Sequence, residues 1–236
     1  MNDKYTGGDI HVKGPLWEKL DNFWYYNKWK IVAAIFIIFV LGVCIFQSCT
    51  KEEYDASVLY AGPYAFDAEE RDKGAEDIAN LLPRDFDGDG KKSVALISYN
   101  VLTKDQIENL RKQLDEGEIL DTGYFTQENE LYNAAIMTGE YSILLIDPAQ
   151  YQRLLELGRL RKLSDMFASI LTCAIDEYGV RFSETALYHT SEEFGKLPKD
   201  TVLCMLSANV FGSKTTYARM TELFIVMATD YHENAN

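Results

Sequence analysis

An uncharged stretch near the amino terminus constrains this chain more than any other feature. Residues 31–50 contain no Asp, Glu, Lys or Arg, and Gln47 is the only strongly polar residue of Ile31–Gln47. The run 31–49 has 19 residues, which as an α-helix span roughly 28 Å, about the hydrocarbon thickness of a bilayer. A core helix of a soluble protein would place polar residues at every third or fourth position. The sequence therefore predicts a transmembrane helix over 31–49.

The residues before this run are typical of a membrane interface. Phe23–Lys30 reads Phe-Trp-Tyr-Tyr-Asn-Lys-Trp-Lys, and Trp and Tyr favour the headgroup layer because each joins an apolar ring to a polar tip. Pro15 suits the first turn of a helix, and the apolar residues after it have the spacing of one helical stripe. These are Leu16, Trp17, Leu20, Phe23 and Trp24. We expect residues 1–30 to form a cytoplasmic juxtamembrane segment with a short interfacial helix.

Flanking charge predicts the orientation of the span. Lys19, Lys28 and Lys30 precede it, whereas Lys51 follows it beside two Glu residues. The positive-inside rule then places the amino terminus in the cytoplasm and residues 51–236 outside the cell membrane. Two alternatives stay open. A cleaved signal peptide would need a charged leader of 30 residues that includes four acids, and a lipoprotein modified at Cys49 would lack the usual Leu three residues earlier.

Charge is distributed very unevenly along the chain. Of the net charge of −14, residues 51–236 contribute −15, from 18 basic and 33 acidic side chains. Nucleic-acid-binding domains have a basic surface that neutralises phosphates, so this composition argues against a nucleic-acid partner. The partners that we expect are the lipid bilayer and either a membrane protein or a small solute.

Beyond a linker over 50–56, residues 57–236 have the pattern of one α/β domain. Apolar runs predict buried strands over 57–61, 93–99, 141–147 and 201–207. Amphipathic segments with capping residues such as Thr103, Pro148 and Gly158 predict helices over 67–82, 104–115, 126–138, 148–157 and 215–231. Alternating strands and helices favour a mostly parallel or mixed sheet that is covered on both faces. Residues 165–200 have the weakest pattern.

One segment of this domain resembles type 2 periplasmic solute-binding proteins. Met137-Thr-Gly-Glu-Tyr-Ser-Ile-Leu-Leu-Ile-Asp147, a helix, and Gly158-Arg-Leu-Arg-Lys-Leu163 are similar to the helix–strand–helix stretch of that family. The resemblance implies a solute-binding-like domain, and it carries over no ligand residue. A two-lobed binding protein needs two domains of chain, whereas 186 residues follow position 50, so only a reduced form is expected. The aromatic anchor is also similar to that of uncharacterised single-pass membrane proteins of Firmicutes.

The loop Asp85-Phe-Asp-Gly-Asp-Gly-Lys-Lys-Ser93 matches the first half of a calcium-binding loop. Carboxylates at alternate positions converge on one hard cation, and Gly90 permits the sharp turn between them. The predicted ligands are Asp85, Asp87, Asp89, the carbonyl oxygen of Lys91, and Ser93. Leu96 stands where an EF-hand has its bidentate Glu, so the loop is not an EF-hand. The alternative is an acidic turn in which Asp and Gly serve only the backbone.

No catalytic residues or organic cofactor site are predicted. The chain contains no H-E-x-x-H, G-x-S-x-G, phosphate-binding glycine loop or C-x-x-C motif, and it has three His residues. Asp176 with Glu177, and Glu192 with Glu193, are adjacent acids that would not face each other on a helix. Cys173 and Cys204 sit in apolar surroundings typical of buried thiols, and a disulfide between them stays open.

Together these features favour a single-pass membrane-anchored extracytoplasmic binding or interaction protein, such as a sensor or accessory subunit, without catalytic chemistry. The alternative is a surface-anchored hydrolase whose residues are scattered beyond recognition in the sequence. A pocket lined by converging carboxylates or by His189 would favour the hydrolase, whereas an open sheet edge or an apolar patch would favour the binding protein.

Overall fold

The computed structural model describes residues 15–49, 54–114, 119–169, 171–208 and 214–229. The chain divides into two compact units, Met1–Glu52 and Glu53–Asn236. Within α1 the side chains are described from Phe23 to Val43, Tyr26 apart. Residues 1–14 of the predicted juxtamembrane segment 1–30, and residues 50–53 of the predicted linker 50–56, lie outside the described residues.

The first unit contains one continuous helix, α1 (Pro15–Cys49), of 35 residues. It therefore joins the expected interfacial helix and the apolar run 31–49 without a break. Pro15 stands in the first turn, where a missing N–H costs nothing. No helix among the described residues meets the length and hydropathy required of a membrane span.

The second unit is an α/β domain built on a mixed five-stranded sheet, which confirms the predicted fold class for this part of the chain. The strand order is β2-β1-β3-β5-β4. Strand β1 pairs in parallel with β2 and β3, and β5 pairs antiparallel with β3 and β4. The strands are β1 (Ala56–Gly62), β2 (Val94–Asn100), β3 (Ile143–Ile146), β4 (Gly179–Arg181) and β5 (Val202–Met205).

Six helices belong to this domain as described: α2 (Ala68–Leu81), α3 (Lys104–Gln113), α4 (Thr122–Thr138), α5 (Pro148–Glu156), α6 (Ala186–Thr190) and α7 (Lys214–Met227). Thr103 caps α3 as predicted, because its side chain accepts the Gln106 N–H while the Gln106 side chain accepts the Thr103 N–H. Pro148 begins α5, and Gly158 follows it with a φ of +61°. Local sequence signals therefore determine where these helices start and stop.

The sheet has an apolar core on each face because side chains alternate along its strands. Val58 and Tyr60 belong to the core shared with α2 and α7, and Leu59 and Ala61 belong to the core shared with α4 and α5. All buried members of both cores lie at or after Ala56. Since the domain supplies its own core, we infer that Glu53–Asn236 folds without α1.

The structure also refines several predicted boundaries. Asp55 and Ala56, expected in the linker, are buried at the start of the domain. Helix α4 begins at Thr122, four residues earlier than predicted, because Asp121 accepts the N–H groups of Gly123 and Tyr124. The weakly patterned region 165–200 contains β4, α6 and single-turn 3-10 helices at Phe182–Glu184 and Phe194–Lys196.

Cys173 and Cys204 are both buried thiols, and no disulfide joins them. Cys173 belongs to the core on the α2 and α7 face of the sheet, whereas Cys204 belongs to the core on the α4 and α5 face. Because the sheet separates the two side chains, the bridge left open by the sequence does not form. Burial raises the pKa of the Cys204 thiol well above its usual value.

Candidate functional site

The carboxylate of Asp55 holds the calcium-like loop to the sheet. Asp55 is 4% exposed. Its Oδ1 accepts the backbone N–H groups of Phe86 and Asp87, and its Oδ2 accepts the Ser93 N–H at 2.9 Å. Strands β1 and β2 are parallel, and Ala56 is opposite Val94. The residues that precede the two strands therefore lie side by side at the amino-terminal ends of these strands. The start of β1 thus supplies the acceptor for the loop that leads into β2.

The loop closes around a second carboxylate, that of Asp85. Its Oδ1 accepts the N–H groups of Asp87 at 3.1 Å and Gly88 at 2.6 Å, and its Oδ2 accepts the Gly90 N–H at 2.7 Å. Gly88 and Gly90 have φ angles of +85° and +89°, a conformation that side chains disfavour. The sharp turn expected at Gly90 is therefore present, and Gly88 adds a second one.

Three carboxylates converge beside this turn. Asp55, Asp85 and Asp87 each offer one oxygen, and the three oxygens lie within 4.8 Å of one another. They form the only cluster of three or more His, Cys, Asp or Glu ligands in the part of the chain that the structure describes. On each of these carboxylates one oxygen accepts a single N–H and keeps a second lone pair, and carboxylate oxygens are the ligands that hard cations such as Ca²⁺ prefer.

The other predicted ligands have different roles in the structure. Asp89 is not a member of the carboxylate cluster, and its side chain accepts the Lys91 N–H at 2.7 Å. The Ser93 carbonyl oxygen accepts the Asp55 N–H at 3.0 Å. Of the five predicted residues, Asp85 and Asp87 are brought together, and Asp55 takes the place in the cluster that the sequence assigned to Asp89.

The two loop carboxylates have opposite pKa shifts. N–H donors from Gly88 and Gly90 hold the pKa of Asp85 below its usual value. The Asp89 N–H lowers the pKa of Asp87, but desolvation and the nearby charges of Asp89 and Asp55 outweigh it, so the pKa of Asp87 is raised. Repulsion among these acids is the electrostatic cost that a bound cation would remove.

Asp55 is the site residue that sequence reasoning missed. It stands immediately before β1, in a stretch assigned to the linker, and no local motif includes it. Strand pairing was the information that could have revealed it: two strands that pair in parallel place the residues before them side by side at the same end of the sheet. An acid directly before the first strand would then have been placed next to the loop before the second.

Three of the four adjacent acids considered as catalytic pairs are engaged in structural contacts. Asp176 accepts the Tyr151 hydroxyl at 2.6 Å, and Glu177 pairs with Lys162. Glu193 is buried and pairs with Lys196. Lys196 also contacts Glu70 at 3.0 Å.

The Tyr64 hydroxyl and Lys196 together lower the pKa of Glu70 to about 2. The ion pair between Glu70 and Lys196 joins α2 to the Phe194–Lys196 turn, and Glu193 pairs with the same Lys196. This structural role explains why these charged residues lie together and requires no catalysis.

An open groove of about 690 Å³ lies between α2 and the outer edge of β2. We call it the β2 groove. Its walls are residues from Arg71 to Asn80 on α2 and from Lys92 to Ser98 on and before β2, with Tyr54 at one end. A second groove of about 570 Å³, more apolar, follows Lys162–Glu177. Neither groove is lined by His189.

Comparison with known proteins finds no matching protein family, no matching curated protein and no matching solved structure.

Proposed function

We propose that this chain is a single-pass membrane-anchored extracytoplasmic binding or interaction protein. In this proposal α1 anchors the chain in the cell membrane, the amino terminus is cytoplasmic, and the acidic α/β domain acts outside as a sensor or accessory subunit. The partner is a membrane protein or a small solute.

The observation that carries the proposal is the surface of α1. Seven consecutive large apolar side chains, from Ile35 to Leu41, are each between 41% and 68% exposed. Successive helical residues are about 100° apart, so seven of them cover every side of the helix. Fully burying a side chain such as Ile or Phe contributes about 1.5–3 kcal/mol, and a lipid environment supplies that burial on all sides at once.

The length of the apolar run supports the same assignment. The described side chains of α1 end at Val43, whereas the uncharged sequence continues to Thr50. Trp24 and Trp29, both more than half exposed, precede the run at the level where aromatic residues favour a membrane interface.

The local structure around β3 supports a solute-binding-like domain. Helix α4 ends at Gly139, where φ is +66°, and the fully buried strand β3 and helix α5 follow. This is the arrangement that the resemblance to type 2 periplasmic solute-binding proteins implies for the segment up to Leu163. Three of the acids considered for the hydrolase alternative, Asp176, Glu177 and Glu193, are engaged in structural contacts, so these contacts do not favour it.

Membrane extraction and protease accessibility test the anchor and its orientation. Washing membranes at alkaline pH should leave the full chain in the pellet, because only removal from the bilayer would release a spanning helix. Protease added to intact protoplasts should digest the domain and spare the amino-terminal segment. Release by alkali would refute the anchor, and full protection of the domain would reverse the orientation.

We further propose that the loop 85–93 binds Ca²⁺ through Asp55, Asp85 and Asp87. The sequence also predicts Asp89, the Lys91 carbonyl and Ser93 as ligands. Three carboxylates supply part of the six to eight oxygens that Ca²⁺ takes, and water completes the shell. The role of the ion would be to stiffen the loop.

Millimolar Ca²⁺ should raise the melting temperature of the isolated domain, because an ion that binds only the folded state stabilises it by mass action. The Asp87→Ala substitution should abolish the rise, and Asp105→Ala, which removes an exposed acid from α3, should preserve it. The rise should also shrink at acidic pH, because protonated carboxyls do not bind Ca²⁺. An unchanged melting temperature in the wild-type domain would remove the metal site.

A further inference from the structure

The outer edge of β2 presents backbone groups that no strand pairs. Ala56 donates to the Ser93 carbonyl at 3.4 Å, and Val101 donates to the Gly62 carbonyl at 3.1 Å. The backbone N–H and C=O groups of the odd-numbered residues from 93 to 101 therefore point toward β1. Because these groups alternate in direction along a strand, those of Val94, Leu96 and Ser98 point away from β1. In the described part of the chain β1 is the only strand beside β2.

The two edge strands of the sheet, β4 and β2, differ in what covers their outer sides. Outside β4, the segment around Ala174 covers the edge: Ala174 forms a bridge with Val180, and Ile175 donates to the Gly179 carbonyl at 2.9 Å. Outside β2, the Asn100 N–H donates to the Glu128 carboxylate at 2.9 Å, and the N–H groups of Val94, Leu96 and Ser98 have no hydrogen-bond partner among the described residues. The rest of the edge lines the β2 groove.

Strand β2 also lacks the features that protect edge strands. Val94–Asn100 contains no charged residue and no Pro, and its register with β1 is unbroken by a bulge over all seven residues. Edge strands of this kind add further strands unless charge, Pro, a bulge or a covering segment prevents it.

We propose that β2 binds an extended segment of a partner protein as an additional strand lying in the β2 groove. This names the partner class for the proposed interaction function, and it rests on that function but not on the membrane anchor. The main chain of the segment would pair with Val94, Leu96 and Ser98, as in other cases of strand addition to a sheet edge.

The packing of α2 favours such a segment over a second copy of this domain. Helix α2 packs against β2, and a Cβ at Gly74 would lie only 3.0 Å from Leu96 Cδ2. Two copies paired through β2 would place their edge strands about 4.8 Å apart, whereas packed helices need about 8–10 Å. Pairing of two copies through β2 would therefore require room for two α2 helices on one face of the joined sheet, whereas an extended segment brings no helix of its own.

Charge indicates the side chains that the segment carries. Asp72 and Glu76 lie one turn apart on the α2 wall of the groove, and neither forms an ion pair within the described residues. Two basic residues, Arg71 and Lys92, also line the groove, and the Lys92 ammonium donates to the Leu82 carbonyl at 2.6 Å. In a domain whose charge is −15 overall, basic side chains on the face toward α2 fit best.

Amide hydrogen exchange of the isolated domain tests the proposal with a defined probe. The probe is a synthetic peptide of about seven residues in which Lys and Val alternate, so that one face is basic and the other apolar. Saturating peptide should slow exchange of the Leu96 and Ser98 amides at least about tenfold, and should change the Ala95 and Ile97 amides little because β1 already pairs them.

Matched variants separate strand addition from adventitious binding. Ser98→Pro removes only an outward N–H, which edge strands tolerate, and should abolish binding, whereas Ser98→Ala keeps the N–H and should bind normally. A domain carrying both Asp72→Asn and Glu76→Gln should bind the Lys peptide roughly threefold to tenfold more weakly. A peptide with Glu in place of Lys should bind worse still.

Three results would overturn the proposal. One is the absence of protection at Leu96 and Ser98 with the Lys peptide. Another is equal binding of the Lys and Glu peptides. The third is protection of the same amides without peptide in a dimer, which would assign the edge to a second copy. All three measurements use the domain without α1, so failure here leaves the membrane assignment standing.

Discussion

Replacing Phe36, Ile38 and Val40 together with Lys should release the full chain from membranes. A Lys or Arg at the centre of a membrane-spanning helix costs about 2.5–3.5 kcal/mol on insertion scales. Three such residues therefore cost about 7.5–10.5 kcal/mol, enough to offset the insertion of a 19-residue apolar run. The measurement is the partition of the chain between pellet and supernatant after membrane fractionation, with alkaline extraction of the pellet.

The matched control replaces the same three positions with Leu. Leu keeps the helix apolar and is a strong helix former, so the control should stay in the pellet under both conditions. Because the domain forms its own core, the Lys variant should retain a normal melting transition after release. A Lys variant that stays in the pellet as firmly as the Leu control would show that α1 associates with membranes by some means other than spanning them.

Asp55→Ala should destabilise the isolated domain by about 3–5 kcal/mol. The substitution removes the acceptor of three backbone N–H groups, and hydrogen bonds to a charged group contribute about 1.5–3 kcal/mol each before water partly replaces them. For a domain of this size about 1 kcal/mol shifts the melting temperature by about 2–4 °C. Calorimetry in a chelator should therefore show a fall of roughly 6–20 °C.

Two variants show whether burial of the acceptor is the cause. Asp87→Ala removes a carboxylate that accepts only the Asp89 N–H at an exposed position, so the melting temperature should fall by no more than about 3 °C. Asp55→Asn keeps one oxygen acceptor but turns an NH₂ donor toward a backbone N–H, so its effect should be intermediate. If Asp55→Ala melts like the wild type, the carboxylate does not hold the loop.

Most of the elements could be predicted because their signals are local. Thr103 directly precedes α3, and Pro148 is the first residue of α5. The apolar runs that predict strands coincide with β1, β2, β3 and β5. Strand β4 could not be predicted because Gly179–Arg181 is only three residues long. It exists because β5 pairs with it, and no window of sequence contains that information.

The candidate metal site was predictable in part for the same reason. Asp85, Asp87 and Gly90 belong to one short motif, and their turn forms from local hydrogen bonds. Asp55 lies 30 residues earlier in the sequence than Asp85. Only the parallel pairing of β1 with β2 brings it to the loop.

The β2 groove could not be foreseen either. The sequence predicts a strand over the largely apolar run 93–99, and it shows the acids of α2. It does not reveal which strand is last in the sheet. Strand order depends on the packing of distant segments. Here it places β2 last in the sheet, with no described strand outside it, and β4 at the other edge beside the segment around Ala174.

The sequence by itself determined the uncharged run before residue 51, the acidity of everything after it, the α/β class and the acidic loop, because composition and short-range periodicity carry those properties. The tertiary structure alone decided that Asp55 completes the carboxylate cluster and that, of the strands described, β2 is the outermost, beside Asp72 and Glu76. Both results follow from strand pairing, which joins residues far apart in the chain through backbone hydrogen bonds that no local pattern encodes.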